Sequence, residues 1–184
     1  MEEDAMEEAI KIKIQPLNAE AFRPYGQVLQ PQQLIYPETE EGRVAMEMLQ
    51  VKYRPHAKRM DQLAIHFSYN QTFIPLQGSL VLVVAPPPRN REAGADGYAL
   101  DYEKIAAFLV EPGQAAFIYK GTWHNVLTLG NACTFINVTR KNPGEGTSPT
   151  DELAGRIERV NAVRPYVEYV DLRKRDQRVL ELEL

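Results

Sequence analysis

Near the start of the chain Ile10, Ile12 and Ile14 alternate with Lys11 and Lys13. A period of two is what a strand with one buried and one wet face requires. The same pattern recurs along most of the sequence. Val44–Arg54 (VAMEMLQVKYR) alternates, and Gln62–Tyr69 places Leu63, Ile65, Phe67 and Tyr69 on one face and Ala64, His66 and Ser68 on the other. Thr72–Leu76 is largely apolar, and Ser79–Ala85 (SLVLVVA) is apolar on both faces, as a fully covered strand would be. Ile105–Val110, Ala115–Tyr119, His124–Leu129 and Ala132–Val138 are further strands, and Val28-Leu29 begins another. Asn18–Phe22 forms one helical turn capped by Asn18 and closed by Pro24, Tyr25 and Gly26. Pro31–Gly42 is a polar loop, and Pro55–Asp61 is a turn-rich connection. Pro86–Gly97 (PPPRNREAGADG) is a surface loop insertion. Pro112 and Gly113 suit a type II turn within Glu111–Gln114, and Gly130-Asn131 predicts a short hairpin between the strands beside it. Short strands with little helix between them indicate an antiparallel β-barrel or sandwich.

The character changes after Arg140. Lys141–Pro149 reads as a loop, and Thr150 or Asp151 can cap a helix whose Leu153, Ile157 and Val160 share one face. Tyr166–Leu172 is a candidate strand, and the tail LRKRDQRVLELEL mixes charge with leucine. That tail is too short to fold alone and must pack on the barrel or on a second subunit. The expected organisation is an acidic tail over 1–9, a β-barrel domain over 10–148 and an extension over 149–184.

Composition narrows the class. A chain of 184 residues, 44% hydrophobic and 25% charged, is of ordinary globular make-up and fits one domain. Its net charge of −4, with no basic stripe, argues against nucleic acid as a partner. No apolar run is long enough to span a membrane. The opening MEEDAMEE lacks the features of a signal peptide, so a cytoplasmic location is expected. A single cysteine, Cys133, excludes an internal disulfide and a multi-cysteine zinc site; its apolar setting makes it a buried, inert thiol. The 3 histidines are His56, His66 and His124. His56 lies beside Pro55 in a basic turn and reads as solvated.

The candidate chemistry gathers in Ile65–Gly78 (IHFSYNQTFIPLQG) and Gly113–Asn125 (GQAAFIYKGTWHN). Each combines a histidine with strand-like apolar residues and a glycine turn. Ala64 and Ser68, small neighbours of His66, leave room for a ligand beside the ring. Gly113, Gly121 and His124 hold the spacing of the second cupin motif, with Tyr119 at its proline position and Thr128 at its asparagine position. In the first motif His66 takes the second histidine position and Gly78 the glycine position, while Ala64 and Gln71 replace the first histidine and the acid. The chain is more specifically similar to the ureidoglycolate lyase family of small cupins, roughly from Ile12 to Gly144. The opening IQPLNAEAFRPYGQVL, His66 with NQTFIPLQG, Trp123-His124 with Val126-Leu127, and Phe135–Val138 running into Arg140 carry that likeness. It departs where Leu63-Ala64-Ile65-His66 lacks the family's glutamate and arginine, and where Tyr119 replaces a histidine.

The resemblance implies an all-β, cupin-type double-stranded β-helix, a jelly-roll barrel with a short helical and extended C-terminal appendage. It implies cleavage of ureidoglycolate to glyoxylate and urea in allantoin and purine catabolism. That reaction needs a base for the hydroxyl proton, an acid for the departing nitrogen and a cation for the carboxylate. His66 and His124 are then the catalytic candidates, with Gln71, Tyr119, Lys120 and Arg140 as substrate-binding residues. Arg54 is a further candidate for the carboxylate clamp, since a guanidinium fork fits that group. If a divalent metal takes part, His66, Gln71 and His124 are its ligands, a thin set. The expected partner is a small carboxylate substrate, and a homodimer would protect sheet edges and the C-terminal arm. Two other readings stay open: a non-catalytic cupin that binds a small carboxylate, and a metal-dependent cupin enzyme of different chemistry.

Overall fold

The computed structural model describes residues 8–40, 42–54, 58–89, 97–141 and 167–184. The described residues form two β-sheets. The larger has eight strands: β1 (Glu8–Pro16), β4 (Arg59–Met60), β5 (Gln62–Ile65), β7 (Leu80–Ala85), β8 (Ala106–Val110), β10 (Trp123–Leu127), β12 (Glu168–Asp171) and β13 (Arg178–Glu183), in the order β12-β5-β10-β7-β8-β1-β13-β4. The smaller has five: β2 (Gly26–Val28), β3 (Arg43–Lys52), β6 (Gln71–Gln77), β9 (Ala116–Ile118) and β11 (Ala132–Lys141), in the order β2-β9-β6-β11-β3. Among the described residues, helix is confined to α1 (Ala19–Phe22), α2 (Leu172–Asp176) and a 3-10 turn at Tyr102–Lys104. This is the expected mainly-β, double-sheet architecture.

β7 explains how the two sheets pack. Leu80, Leu82 and Val84 meet Leu49, Val51, Phe73, Ile118 and Phe135 of the smaller sheet. Val81, Val83 and Ala85 point to the opposite face, where Val170, Leu172, Leu180 and Leu182 of the C-terminal segment complete a second apolar cluster. A strand covered on both faces must be apolar throughout, and all six residues of β7 are buried. The tail is thus part of the sheet: β13 runs parallel to β1, and β12 pairs antiparallel with β5.

Two expectations fail for identifiable reasons. The Gly130-Asn131 link does not close a hairpin, because β10 already has β5 and β7 on its two edges. The chain crosses instead to the smaller sheet, where β11 pairs with β3 and β6. The strand expected over Gln62–Tyr69 ends at Ile65. Beyond it the backbone turns and is held by the 38–40 segment, with Glu40 N–H donating to the Ser68 carbonyl at 2.8 Å and Asn70 N–H to that of Glu38 at 3.1 Å. The expected α1 cap is present, with Asn18 Oδ1 accepting from Ala21 N–H at 2.9 Å. The expected helix at Leu153, Ile157 and Val160, the solvated His56 and most of the Pro86–Gly97 insertion lie outside the described residues.

Candidate active site

The two histidine-bearing stretches meet. Gly121 N–H donates to the His66 carbonyl at 2.7 Å, and the His66 and His124 rings lie edge to face with centroids 4.8 Å apart. Glycine makes this approach possible at both turns. Gly121 has φ +79°, and a Cβ there would meet the Phe67 ring at 2.7 Å. Gly78 has φ +74°, and its Cβ would strike the Ala132 carbonyl oxygen at 2.3 Å.

A cavity of about 540 Å³ lies between the sheets. His124, Ala64 and Tyr169 line it side by side, because Ala64 of β5 is paired with His124 of β10 on one side and with Tyr169 of β12 on the other. Ala64, buried and small, leaves space between the two rings. Phe73 and Phe135 of the smaller sheet form the apolar wall opposite, with Gln71 and Asn137 as its polar members. Lys52, Arg54 and Arg59 bring cationic side chains to the lining, and Asp61 and Asp171 bring carboxylates. Both carboxylates have cations elsewhere: Arg173 at 3.6 Å from Asp61, and Lys174 at 3.3 Å from Asp171.

His124 is 6% exposed. Its Nδ1 faces the Thr122 carbonyl at 2.9 Å; a carbonyl only accepts, so Nδ1 carries the hydrogen. Burial lowers its pKa from the ordinary 6.5 to about 4. A neutral ring protonated at Nδ1 has its lone pair at Nε2. His66 is sealed more tightly. It stacks on Tyr69 at 3.7 Å, its Nδ1 faces the Tyr69 carbonyl at 3.0 Å, and its Nε2 faces Gln71 Oε1 at 2.9 Å. Burial, with His124 adding a smaller effect, lowers its pKa to about 3. From Gln71 the chain of contacts continues to Asn137 Oδ1 at 2.8 Å, and Asn137 Nδ2 donates to Glu47 Oε2 at 3.2 Å.

The candidate residues divide by position. His124 and Gln71 line the cavity, and His66 stands behind them, joined to both. Tyr119, Lys120 and Arg140 are not in the lining. Lys120 pairs with Glu38 at 3.2 Å and Glu40 at 3.0 Å, and Arg140 is buried against the Gly42 turn. Arg54 does line the cavity. Periodicity gave no hint of Asn137, Arg59 or Tyr169, which converge from β11, β4 and β12. Only their inward register on strands could have flagged them, and register depends on pairing across the sheets. Cys133 is buried, and burial raises its thiol pKa to about 11, which keeps it protonated and inert.

The donor atoms test whether these residues suit a divalent metal. His66 Nε2 and Gln71 Oε1 face each other, His66 Nδ1 faces a carbonyl, and His124 offers one nitrogen. Among the described residues no group of three or more histidine, cysteine, aspartate or glutamate side chains converges. As arranged, the residues do not fit a metal centre.

Comparison with known proteins decides the family. The ureidoglycolate lyase family profile matches residues 33–154, well over half of the chain. The chain belongs to the ureidoglycolate lyase family. It is 34% identical over 126 residues to the putative ureidoglycolate lyase of Agrobacterium fabrum, covering 64% of this chain and 74% of that one. It is 29% identical over 152 residues to the ureidoglycolate lyase of Rhodobacter capsulatus, covering 73% and 89% respectively. With the enzyme of Azotobacter vinelandii it shares 25% identity over 173 residues, covering 84% of this chain and 98% of that one. β12 and β13 lie beyond the residues that the family profile matches.

Proposed function

We propose that this member of the ureidoglycolate lyase family cleaves ureidoglycolate to glyoxylate and urea, a step of purine and allantoin breakdown. The observation that carries the reading is His124 in the cavity wall, with Nδ1 tied to Thr122 and Nε2 left as a lone pair. His124 Nε2 takes the proton from the substrate hydroxyl. The C–O bond becomes the carbonyl of glyoxylate as the C–N bond breaks, and its electron pair goes to the departing nitrogen. The His124 imidazolium then returns the proton to that nitrogen, releasing urea and restoring the neutral ring. Base and acid are thus one group acting twice, so atoms and charge balance with no other reactant.

Arg54 and Arg59 hold the substrate carboxylate, where a guanidinium fork is more useful than a point charge. This reading moves the clamp away from Lys120 and Arg140, which do not line the cavity. Gln71 and Asn137 meet the ureido group, whose N–H and carbonyl ends are complementary to side-chain amides. His66 fixes Gln71 from behind.

Glyoxylate release from ureidoglycolate tests the proposal, using metal-stripped protein with and without nickel, manganese or zinc, beside His124→Ala. Turnover without added metal that disappears in the variant supports it. No turnover under any condition by the folded protein overturns it in favour of a carboxylate-binding role.

We also propose a homodimer. Val44, Met46 and Met48 lie along the outer face of edge strand β3, and Met46 and Met48 are 73% and 64% exposed. Leu76 of β6 is exposed on the same sheet. An apolar row of this kind suits a self-complementary contact. Sedimentation of Met46→Lys as monomer, against a dimeric parent, is the expected result. No described helix is long and apolar enough to cross a membrane.

A further inference from the structure

Glu47 is not part of the cavity lining, yet two amides connect it to His66. It lies on the inward row of β3 with its side chain 8% exposed, and Lys141 Nζ stands 3.4 Å from one of its oxygens. A carboxylate can only accept, so Asn137 must turn its NH2 toward Glu47 and its oxygen away. That oxygen receives the NH2 of Gln71, which leaves Gln71 Oε1 facing His66 Nε2. Each amide has one donating and one accepting end, so the sense of the whole chain follows from its charged terminus. The far terminus pulls the other way. The Tyr69 carbonyl also only accepts, and a neutral imidazole has a single N–H for two oxygens. The direction of the amide pair therefore decides whether Nε2 can hold the hydrogen at all: with the pair reversed, Gln71 would present its NH2 and the hydrogen would have to sit on Nδ1.

We infer that Glu47 is a positioning residue, whose carboxylate orients the Asn137–Gln71 amide pair and so places the hydrogen of His66 on Nε2. The consequence reaches the substrate because Gln71 and Asn137 line the cavity. A ureido group has an acceptor carbonyl flanked by N–H donors, so how it pairs with the two side-chain amides depends on which end each amide turns to the cavity. This last step rests on the reading of the cavity as the ureidoglycolate site; the orientation of the chain does not.

The test compares the parent with Glu47→Gln and Glu47→Asp. Glutamine can donate as well as accept, so it releases the constraint; aspartate retains it. In nitrogen-15 spectra His66 of the parent and of Glu47→Asp is the Nε2–H tautomer. In Glu47→Gln it shifts to Nδ1–H, and the side-chain amide resonance of Gln71, which does not touch residue 47, moves with it. Asn137→Ala, which cuts the chain in the middle, produces the same tautomer change should Glu47→Gln fail to fold. In turnover, Glu47→Gln raises KM about ten- to a hundredfold, with kcat affected less, and Glu47→Asp restores most of the loss. The effect disappears in a Gln71→Ala background, because Glu47 then has nothing to act through. An unchanged His66 tautomer in the folded variants, or additive losses with Gln71→Ala, overturns the assignment. If the parent releases no glyoxylate, the functional reading fails by itself, and the spectra still decide the role of Glu47.

Discussion

His66 and His124 stand ring against ring, and both are buried, yet their surroundings give them different chemistry. His66 occupies a turn after β5, stacked on Tyr69, with each ring nitrogen facing an oxygen. His124 occupies the middle of the sheet, with one nitrogen tied to its own backbone two residues back and the other bare of protein partners among the described residues. Burial is the main cause of the lowered pKa at both rings and does not by itself distinguish them. The difference lies in the number of ring nitrogens already engaged. A histidine with one spoken-for nitrogen is an oriented base; a histidine with two is a fixed support behind the wall.

The sharpest way to break this contrast is to remove each ring. His124→Ala is expected to lower kcat/KM by about 10²–10⁴-fold, the usual worth of a positioned general base, and to cost about 1–3 kcal/mol of stability as the Thr122 carbonyl loses its donor. Glyoxylate release and a thermal melt measure both quantities. Comparable losses of kcat/KM for His66→Leu and His124→Ala, each measured on folded protein, would erase the distinction.

Next in size is the contrast between the arginines. Arg54→Ala is expected to raise KM about ten- to a hundredfold, the worth of a charge-assisted hydrogen bond, and to leave Tm nearly unchanged. Arg140→Ala is expected to leave KM unchanged and to lower stability by about 1–3 kcal/mol, because it strips a buried polar group from its neighbours. Steady-state kinetics beside denaturant melts separate the two. A KM effect at Arg140 would return the clamp to the end of β11.

A smaller effect on turnover is expected at His66. His66→Leu leaves the Tyr69 carbonyl and Gln71 amide without their partner, which costs about 1–3 kcal/mol of stability. Turnover should remain within about tenfold of the parent, since Asn137 and Glu47 still orient Gln71. Urea unfolding and glyoxylate release on the same preparation give both numbers.

These residues also show what the sequence could convey. Strand alternation located β1 and β3, because a period-two pattern is a local consequence of one-sided burial, and short apolar runs between turn signals located β6, β7, β8 and β11. The same pattern overran the end of β5, since the feature that stops it is the 38–40 segment hydrogen-bonded to Ser68 and Asn70 from far along the chain. The turn signal at Gly130-Asn131 was real, but its outcome depended on whether β10 had an edge to spare. In the site, His124, His66 and Gln71 were legible because family likeness fixes them within short stretches. Asn137, Arg59 and Tyr169 were not, because each reaches the cavity only through strand pairing between distant segments. Arg140 lies outside the cavity lining for a related reason: a charge at a strand end looks available until its burial is known.

The least change is expected where the histidine contrast predicts none. Burial holds the pKa of His124 at about 4 against an ordinary 6.5, so the base is already neutral well below pH 6.5. Turnover should vary by less than about twofold between pH 8 and pH 5.5 and should fall only as the pH approaches 4, provided the fold persists. Stability responds over a wider window. Between the unfolded value near 6.5 and the folded values of about 4 for His124 and about 3 for His66, the unfolded chain binds protons that the folded chain refuses. Stability therefore rises with pH across that window: the contribution of the two neutral rings is complete above pH 6.5 and is lost progressively toward pH 4 and 3. Melting temperature followed against pH tests this, with His66→Leu flattening the lower part of the curve. An acid limb of kcat/KM centred near 6.5 would mean that the catalytic ring titrates as if in water, and the base would have to be a group other than the buried His124.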